Sequence, residues 1–301
     1  MWKASARYIF EDPPSQPSAY YGTAGEDEED PATVGKRRTN IPMQPAKTEL
    51  PMLVFLHGFA GSADDWSVIM EYGAGQFESY AINLPGHGGS VNLDDSDAYT
   101  FTGAVHVVVE SIQEVAIGPV HLVGYSMGGR LAIYAALQKP TLFVSLLVES
   151  STAGLRDPQE REQRIRTDAE LSKRILEMPL EDFFREWYTQ PFFASFSDEQ
   201  REKIVSARKR NDAMELAKSL KGLSVGAQPS LWDRLSELEI PTTFISGARD
   251  EKYANLAIQM AGLCKRGQSA IVPNAGHNVH VEQPDAFFRC IEKHLALNAA
   301  G

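Results

Sequence analysis

A serine in a glycine-flanked motif is the first residue of this sequence whose surroundings suit chemistry. Ser126 lies in Gly-Tyr-Ser-Met-Gly at 124–128, between a strand-like apolar run at 119–123 and a helix-forming run at 131–137. Glycine has no Cβ, so the strand and the helix can approach closely while the serine takes a strained backbone conformation. Strand, sharp turn and helix together predict a nucleophile elbow, which holds the serine hydroxyl at the edge of a sheet.

An acid and a base follow Ser126 in the chain order that such an elbow requires. Asp250 comes just after the apolar run 241–247, and His277 comes just after the run 269–272. A serine hydroxyl is a weak nucleophile and a weak base until a neighbouring group takes its proton. We therefore predict a catalytic triad in which His277 accepts that proton and Asp250 orients His277 and stabilises its charged form.

The backbone N–H groups of Phe59 and Met127 are the natural donors to an oxyanion in this arrangement. Phe59 follows the first strand-like run, and Met127 follows the serine. His57 and His87 lie in glycine-rich turns, where we expect them to fix loop geometry. His280 follows His277 too closely to be an independent candidate. Core, helix or surface positions are expected for the other histidines and acids weighed, which are His121, His294, Asp233 and Asp285.

The segments that must position these residues alternate between strands and helices. The strand-like runs are short and apolar, with helical patterns between most of them, and they lie at 52–56, 80–84, 119–123, 144–149, 241–247 and 269–272. This alternation predicts an α/β fold with a parallel sheet covered by helices on both faces. Only helical patterns occur from 150 to about 234. We predict a core formed by residues 50–150 and 235–301, with a helical cap at 151–234.

Residues 1–49 differ in composition from the rest of the chain. They contain several prolines, an acidic run at 26–30 and a basic run at 36–38, and their one candidate strand is Arg7–Phe10. Such a composition is typical of a solvated segment and not of a packed element. We predict a polar, partly flexible N-terminal extension.

The overall composition narrows the class of protein. The 301 residues include 29 Lys and Arg against 40 Asp and Glu, which gives a net charge of −11 and argues against a nucleic-acid binder. The two cysteines have no metal-ligand spacing and are typical of reduced thiols. No apolar run approaches the roughly 20 residues of a membrane span, and the start lacks a signal-peptide pattern. We expect a cytoplasmic protein, monomeric, that binds neither nucleic acid nor a membrane.

Six motifs of the sequence together resemble one enzyme family. They are His-Gly-Phe at 57–59, Leu-Pro-Gly-His-Gly-Gly-Ser at 84–90, Val-Gly-Tyr-Ser-Met-Gly-Gly-Arg at 123–130, Trp-Tyr-Thr-Gln-Pro at 187–191, Gly-Ala-Gln-Pro-Ser-Leu at 226–231 and Ala-Gly-His-Asn-Val-His at 275–280. From residue 50 to its end, the chain resembles the 2-succinyl-6-hydroxy-2,4-cyclohexadiene-1-carboxylate synthases of menaquinone biosynthesis. The resemblance implies an α/β-hydrolase fold, with a mostly parallel, doubly wound sheet and an inserted helical cap.

The resemblance also implies a reaction. That family eliminates pyruvate from 2-succinyl-5-enolpyruvyl-6-hydroxy-3-cyclohexene-1-carboxylate, so it consists of carbon–oxygen lyases on a hydrolase scaffold. The serine, relayed to the histidine, removes a proton α to the succinyl ketone, and the oxyanion hole stabilises the charge that develops on the ketone oxygen. No metal or organic cofactor is implied.

The substrate of that family is a small molecule with several carboxylates, and the resemblance implies which side chains bind it. The planar guanidinium of arginine suits a carboxylate. Matching the motifs position by position implies substrate contacts from Arg130, Arg164, Arg208, Tyr125 and Trp187. The unmatched cations considered beside them, Lys252, Arg161 and Arg166, are expected on the surface.

Two features depart from the family pattern. The chain has Glu149-Ser150-Ser151-Thr152 where the family often has Glu-Gly-Gly-His, and residues 1–49 make it longer than the family needs. The main alternative is a capped serine hydrolase acting on an ester, a thioester or a carbon–carbon bond, with Ser126 as a true nucleophile. A non-catalytic binding protein on the same fold is a third hypothesis, and the intact set of Ser126, Asp250 and His277 argues against it.

Overall fold

Six parallel strands form one sheet in the part of the chain that the structure describes. The structure is a computed structural model and describes residues 50–89 and 96–299. In chain order the strands are β1 (Met52–Leu56), β2 (Glu78–Ile82), β3 (Val120–Tyr125), β4 (Phe143–Glu149), β5 (Thr242–Gly247) and β6 (Gly267–Val272). Their order in space is β2-β1-β3-β4-β5-β6, and every neighbouring pair is parallel. The predicted α/β class with a parallel sheet is confirmed.

Helices connect the strands and cover both faces of the sheet. In chain order they are α1 (Ser67–Tyr72), α2 (Phe101–Val115), α3 (Met127–Gln138), α4 (Pro158–Glu177), α5 (Leu180–Trp187), α6 (Asp198–Arg208), α7 (Ala213–Gly222), α8 (Glu251–Leu263), α9 (Val279–Glu282) and α10 (Pro284–Ala299). Residues of α2, α3 and α8 share one apolar cluster with the sheet, and residues of α1 and α10 share another. Because both faces are covered, the central strands read as nearly continuous apolar runs.

The order in which the chain adds strands to the sheet reverses at β1. From β1 it passes to β2 on one side, and it then returns to β3 on the other side of β1. In open parallel sheets, the carboxyl ends of the strands at such a switch point border a crevice that binds ligands. Phe59 follows β1 and Ser126 follows β3, so both lie at this crevice.

The two edge strands differ from their predicted bounds, and the physical reason is the same for both. β2 begins at Glu78 and β6 at Gly267, in each case two residues before the predicted apolar run. An edge strand is paired on one side only, so its first residues remain exposed to water. They are Glu78 and Ser79 in β2, and Gly267 and Gln268 in β6, so an apolar run does not mark where these strands begin.

The described residues between β4 and β5 form helices and no strand, in agreement with the sequence pattern. Here we call α4–α7 the cap helices. Asp157 begins α4 by accepting hydrogen bonds from the N–H groups of Gln159 and Glu160, and Ser197 begins α6 in a reciprocal capping box with Gln200. An apolar cluster rich in phenylalanine joins the helices. The domain boundaries near 150 and 235 stay a prediction.

Three features named from the sequence lie outside the described residues. They are the extension 1–49 with its candidate strand Arg7–Phe10, and Ser90 at the end of one motif. Among the helices of the described ranges, none is long and apolar enough to cross a membrane.

Candidate active site

Ser126 occupies the sharp turn between β3 and α3 that the motif predicted. Its φ is 50° and its ψ is −106°, a conformation that residues other than glycine seldom adopt. A Cβ on Gly128 would lie 2.5 Å from the carbonyl oxygens of Leu56 and His57, and a Cβ on Gly124 would lie 2.7 Å from the carbonyl oxygen of Gly128. Both glycines are therefore needed for β1, β3 and α3 to approach this closely.

The three predicted triad side chains lie in one hydrogen-bonded row. Nε2 of His277 lies 3.2 Å from Oγ of Ser126, and Nδ1 of His277 lies 2.6 Å from Oδ2 of Asp250. His277 and Asp250 are buried, and Ser126 is half-buried. Because the carboxylate favours a proton on Nδ1, Nε2 is left to accept the serine proton. The row can therefore move one proton between the hydroxyl and the imidazole.

The backbone N–H groups predicted as oxyanion donors lie in the two turns beside Ser126. Met127 is the first residue of α3, so its N–H has no carbonyl one turn earlier to which it can donate. The next N–H, that of Gly128, donates to the carbonyl oxygen of His57 at 3.1 Å and joins the elbow to the turn that carries Phe59. The role of Phe59 and Met127 stays a prediction.

His57 and His87 hold the glycine-rich turns in place. The backbone N–H of Leu84 donates to Nε2 of His57 at 3.0 Å, and Nδ1 of His57 lies 2.7 Å from the carbonyl oxygen of Gly58. Nδ1 of His87 lies 2.9 Å from the carbonyl oxygen of Pro85. Burial lowers the pKa of His57 to about 4 and the pKa of His87 to about 3. Both rings are therefore neutral at pH 7.

A cavity of about 550 Å³ opens beside Ser126. All ten residues predicted for the site line it: Phe59, Tyr125, Ser126, Met127, Arg130, Arg164, Trp187, Arg208, Asp250 and His277. The core supplies six of them from the turns after β1, β3, β5 and β6 and from α3, and the last residue of β3 supplies a seventh. The other three come from cap helices α4, α5 and α6. The site is therefore built where the cap helices meet the carboxyl ends of the strands.

Arg130, in the first turn of α3, keeps its charge and part of its donor capacity. Its NH1 group donates to Oε1 of Gln228 at 3.2 Å, and its NH2 group donates to the carbonyl oxygen of Leu223 at 2.8 Å. Burial, with the nearby charge of Arg164, lowers the pKa of Arg130 to about 10. The guanidinium is thus still a cation at pH 7, in a place where an anion would stabilise it.

The two predicted arginines of the cap helices differ in their partners. Nε of Arg164 donates to both carboxylate oxygens of Asp168, at 2.8 and 2.9 Å, while the side chain remains partly exposed. Arg208 is buried, and its NH1 and NH2 groups each donate to one oxygen of Asp65 at 2.7 Å. Neither ion pair was predicted from the sequence. The charge of Arg208 is largely balanced by Asp65, so substrate contact from Arg208 stays a prediction.

Aromatic rings form the walls between these polar groups. The ring of Trp187 lies 5.6 Å from that of Phe59, and the ring of Tyr125 lies 5.6 Å from that of His277. Burial raises the pKa of Tyr125 well above its usual value. Tyr125 is therefore neutral and acts as a wall residue with a polar edge.

The turn that departs from the family pattern also borders the cavity. Ser150 has a φ of 45°, and Oγ of Ser151 donates to the carbonyl oxygen of Ser126 at 2.8 Å. Ser150, Ser151 and Thr152 all line the cavity. The substitution of this turn therefore lies where it can alter the fit of a substrate.

Several cavity residues were missed from the sequence, and Lys252 is exposed, as expected, but also lines the cavity. Arg249, Lys252 and Tyr253 flank Asp250 and line the cavity, as do Gln190 and Asn278. Arg249, Lys252 and Tyr253 could have been predicted from the sequence, because they lie one to three residues from Asp250. Short helical turns bring such neighbours to the same site.

No group of three or more His, Cys, Asp or Glu side chains within 50–89 and 96–299 is arranged to hold a metal ion. The expectation that the chain needs no cofactor stays a prediction.

A family model described as the alpha/beta hydrolase family matches residues 53–289 of the chain. Relatives named 2-succinyl-6-hydroxy-2,4-cyclohexadiene-1-carboxylate synthase are similar to it in sequence. The proteins from Escherichia coli O1:K1 / APEC and from Escherichia coli strain SMS-3-5 are each 37% identical over 238 residues, which is 79% of this chain and 91% of theirs.

Two solved structures are also similar to this chain. The structure of MenH from S. aureus matches with a TM-score of 0.79 and 29% identity, over 84% of this chain and 97% of that one. A thermophilic esterase from Thermogutta terrifontis matches with a TM-score of 0.70 and 22% identity, over 83% of this chain and 90% of that one. At 22% identity, the similarity to the esterase shows a shared fold and does not indicate a shared activity.

Proposed function

The chain belongs to the alpha/beta hydrolase family and, within it, to the 2-succinyl-6-hydroxy-2,4-cyclohexadiene-1-carboxylate synthases, and on that basis we propose that it carries out the synthase reaction of menaquinone biosynthesis. It is a carbon–oxygen lyase on a hydrolase scaffold. Its substrate is 2-succinyl-5-enolpyruvyl-6-hydroxy-3-cyclohexene-1-carboxylate, a small polyanion. The cytoplasm is the proposed compartment.

The reaction is an elimination in which one proton and one enolpyruvate leave the ring. The proton leaves from C2, next to the succinyl ketone, and its electron pair forms the C2–C3 double bond. The C3–C4 double bond moves to C4–C5, and the C5–O bond breaks. The departing enolpyruvate takes up a proton and becomes pyruvate, so atoms and charge balance.

The proposed role of Ser126 is to remove the C2 proton. His277 takes the hydroxyl proton at 3.2 Å, and Asp250 at 2.6 Å stabilises the imidazolium that results. The negative charge that develops on the ketone oxygen is stabilised by the N–H groups of Phe59 and Met127. No acyl-enzyme forms in this scheme.

One observation supports the polyanionic substrate more than any other. The proton-transfer row opens into a cavity where five cationic side chains outnumber three carboxylates, although the chain as a whole is acidic. The cations are Arg130, Arg164, Arg208, Arg249 and Lys252, and the carboxylates are Asp168, Asp250 and Glu251. Cations concentrated around one cavity match a ligand with several carboxylates. Hydrolysis of a neutral ester does not require them.

The test measures the release of pyruvate from enzymatically prepared substrate. Lactate dehydrogenase reduces the pyruvate, and the oxidation of NADH reports the rate. We expect rapid turnover by the wild-type protein and a loss of at least about 100-fold in the Ser126→Ala variant. The hydrolase alternative is tested in parallel with p-nitrophenyl acetate. Fast ester hydrolysis without pyruvate release would replace the proposed lyase with a hydrolase.

A further inference from the structure

Tyr253 places a phenol in the cavity directly beside the predicted triad. It is the third residue of α8, and its backbone N–H donates to Oδ1 of Asp250 at 3.4 Å. Its ring lies 4.6 Å from the ring of His277 at an interplanar angle of 67°, and the residue lines the cavity. A phenylalanine would make the same ring contact, so the hydroxyl needs a separate explanation.

The hydroxyl of Tyr253 has no hydrogen-bond partner among the residues that the structure describes, although the side chain is half-buried. Burial raises the pKa of Tyr253, the charge of Asp250 also raises it, and the charges of Arg164 and Arg130 lower it. The phenol is thus protonated at pH 7 and can donate. The oxygen is not among the fully buried side-chain atoms that lack a partner, so the hydroxyl faces the open cavity and can donate to a ligand there.

The neighbouring groups define what kind of ligand would supply the acceptor. Arg130 and Arg164 line the same cavity and interact electrostatically with the phenol, and each retains N–H groups beyond those already bonded. Of the carboxylates that line the cavity, Asp168 is bonded to Arg164 and Asp250 to His277, whereas Glu251 is exposed to solvent. The complementary group is therefore an anion with several lone pairs, and a carboxylate fits.

We propose that the hydroxyl of Tyr253 donates a hydrogen bond to a substrate carboxylate that Arg130 and Arg164 also bind, which makes Tyr253 a substrate-binding residue. The inference rests on the proposed function, because it needs a substrate with a carboxylate at this position. Binding of a carboxylate by the hydroxyl is a different role from orienting His277, which the ring alone could perform.

The test compares Tyr253→Phe with the wild-type protein in steady-state pyruvate release. The variant keeps the ring contact with His277 and removes one oxygen. The KM should rise at least about fivefold and kcat should change less than about twofold, because the lost bond is made equally in the bound substrate and in the transition state. Tyr72→Phe removes the same atom from an exposed tyrosine on α1 and should leave both constants unchanged.

The other outcomes are distinct. If the wild-type protein turns over and Tyr253→Phe has a KM within twofold of it, the inference fails and the proposed function stands. A fall in kcat at constant KM also overturns it, since the hydroxyl would then act on the reacting atoms or on His277. If the wild-type protein releases no pyruvate, the proposed function fails, and this inference fails with it. Equal thermal unfolding midpoints check that all three proteins are folded.

Discussion

At the scale of single residues, the proton-transfer row depends on the tautomer of His277. The carboxylate of Asp250 accepts from Nδ1 at 2.6 Å, which leaves the lone pair of Nε2 toward Ser126. An amide at position 250 could donate to Nδ1 and favour the opposite tautomer. The proposed base would then have its proton on the wrong nitrogen.

We therefore predict that Asp250→Asn lowers kcat at least about 100-fold, with little change in KM. Pyruvate release over a range of substrate concentrations measures both constants. Asp157→Asn is the matched control, because Asp157 begins α4 away from the cavity and asparagine caps a helix equally well. A kcat within threefold of wild type in Asp250→Asn would remove Asp250 from the proposed triad.

Arg130 offers a second prediction at this scale. Removal of its guanidinium should lower kcat/KM at least about tenfold, since a hydrogen bond to a charged group contributes roughly 1.5–3 kcal/mol. Arg130→Ala tests this, and Arg130→Lys should recover part of the loss because it restores the charge without the planar fork. Arg166→Ala removes an exposed arginine of α4 and should have no effect. Unchanged kinetics in Arg130→Ala would exclude the proposed contact.

At the scale of elements, a buried acid–base pair joins β4 to α9 beneath the elbow. The side chain of Glu149, the last residue of β4, accepts from the backbone N–H of His280 at 3.1 Å and from its Nδ1 at 2.6 Å. The carbonyl oxygen of Glu149 accepts from the N–H of Ser126 at 2.8 Å, and the ring of Trp66 stacks on His280 at 4.1 Å. Both partners of the pair are buried.

We predict that His280→Leu lowers the free energy of unfolding by about 3–5 kcal/mol, because it leaves the carboxylate of Glu149 buried without its imidazole partner and with only the backbone N–H of residue 280. Urea unfolding followed by circular dichroism measures the change. The exposed pair Lys265–Glu239 supplies the control, and Lys265→Ala should cost less than about 1 kcal/mol. A loss below 1 kcal/mol in His280→Leu would show that the pair is not stabilising.

The triad residues and the Arg208–Asp65 ion pair show which parts of the site the sequence predicts and which it does not. Ser126, Asp250 and His277 could be predicted because each follows an apolar strand, and parallel strands bring their carboxyl ends to one edge. The pairing of Arg208 with Asp65 joins residues 143 positions apart through the packing of a cap helix. No local periodicity encodes such a contact. The position of Tyr253 likewise depends on how α8 begins.

At the scale of the whole molecule, four histidines are buried in a neutral form. His57 and His87 lie in the turns beside the site, while His121 and His294 lie in β3 and α10. Nδ1 of His121 lies 2.7 Å from Oγ of Ser145, and Nδ1 of His294 lies 2.7 Å from Oγ1 of Thr243. Burial lowers the pKa to about 4 for His57 and His121 and to about 3 for His87 and His294.

These shifts set the direction in which pH alters stability. The unfolded chain binds a proton at each histidine below its ordinary pKa of 6.5, whereas the folded chain does so only near 3 to 4. Between pH 3 and pH 6.5 the unfolded state therefore binds more protons than the folded state. The contribution of the neutral rings to the free energy of unfolding is complete above pH 6.5 and is lost as the pH falls. Each histidine can add up to about 1.4 kcal/mol per pH unit to the slope.

We predict that the free energy of unfolding decreases steadily from pH 7 to pH 5, which urea titrations at half-unit steps would measure. His121→Asn replaces one titrating ring with a neutral amide, so its slope between pH 6 and pH 5 should be flatter by up to about 1.4 kcal/mol per unit. The comparison is between slopes, so a constant loss of stability in the variant does not affect it. A wild-type stability that is level over this range, or parallel slopes in the two proteins, would show that the buried rings are already protonated when folded.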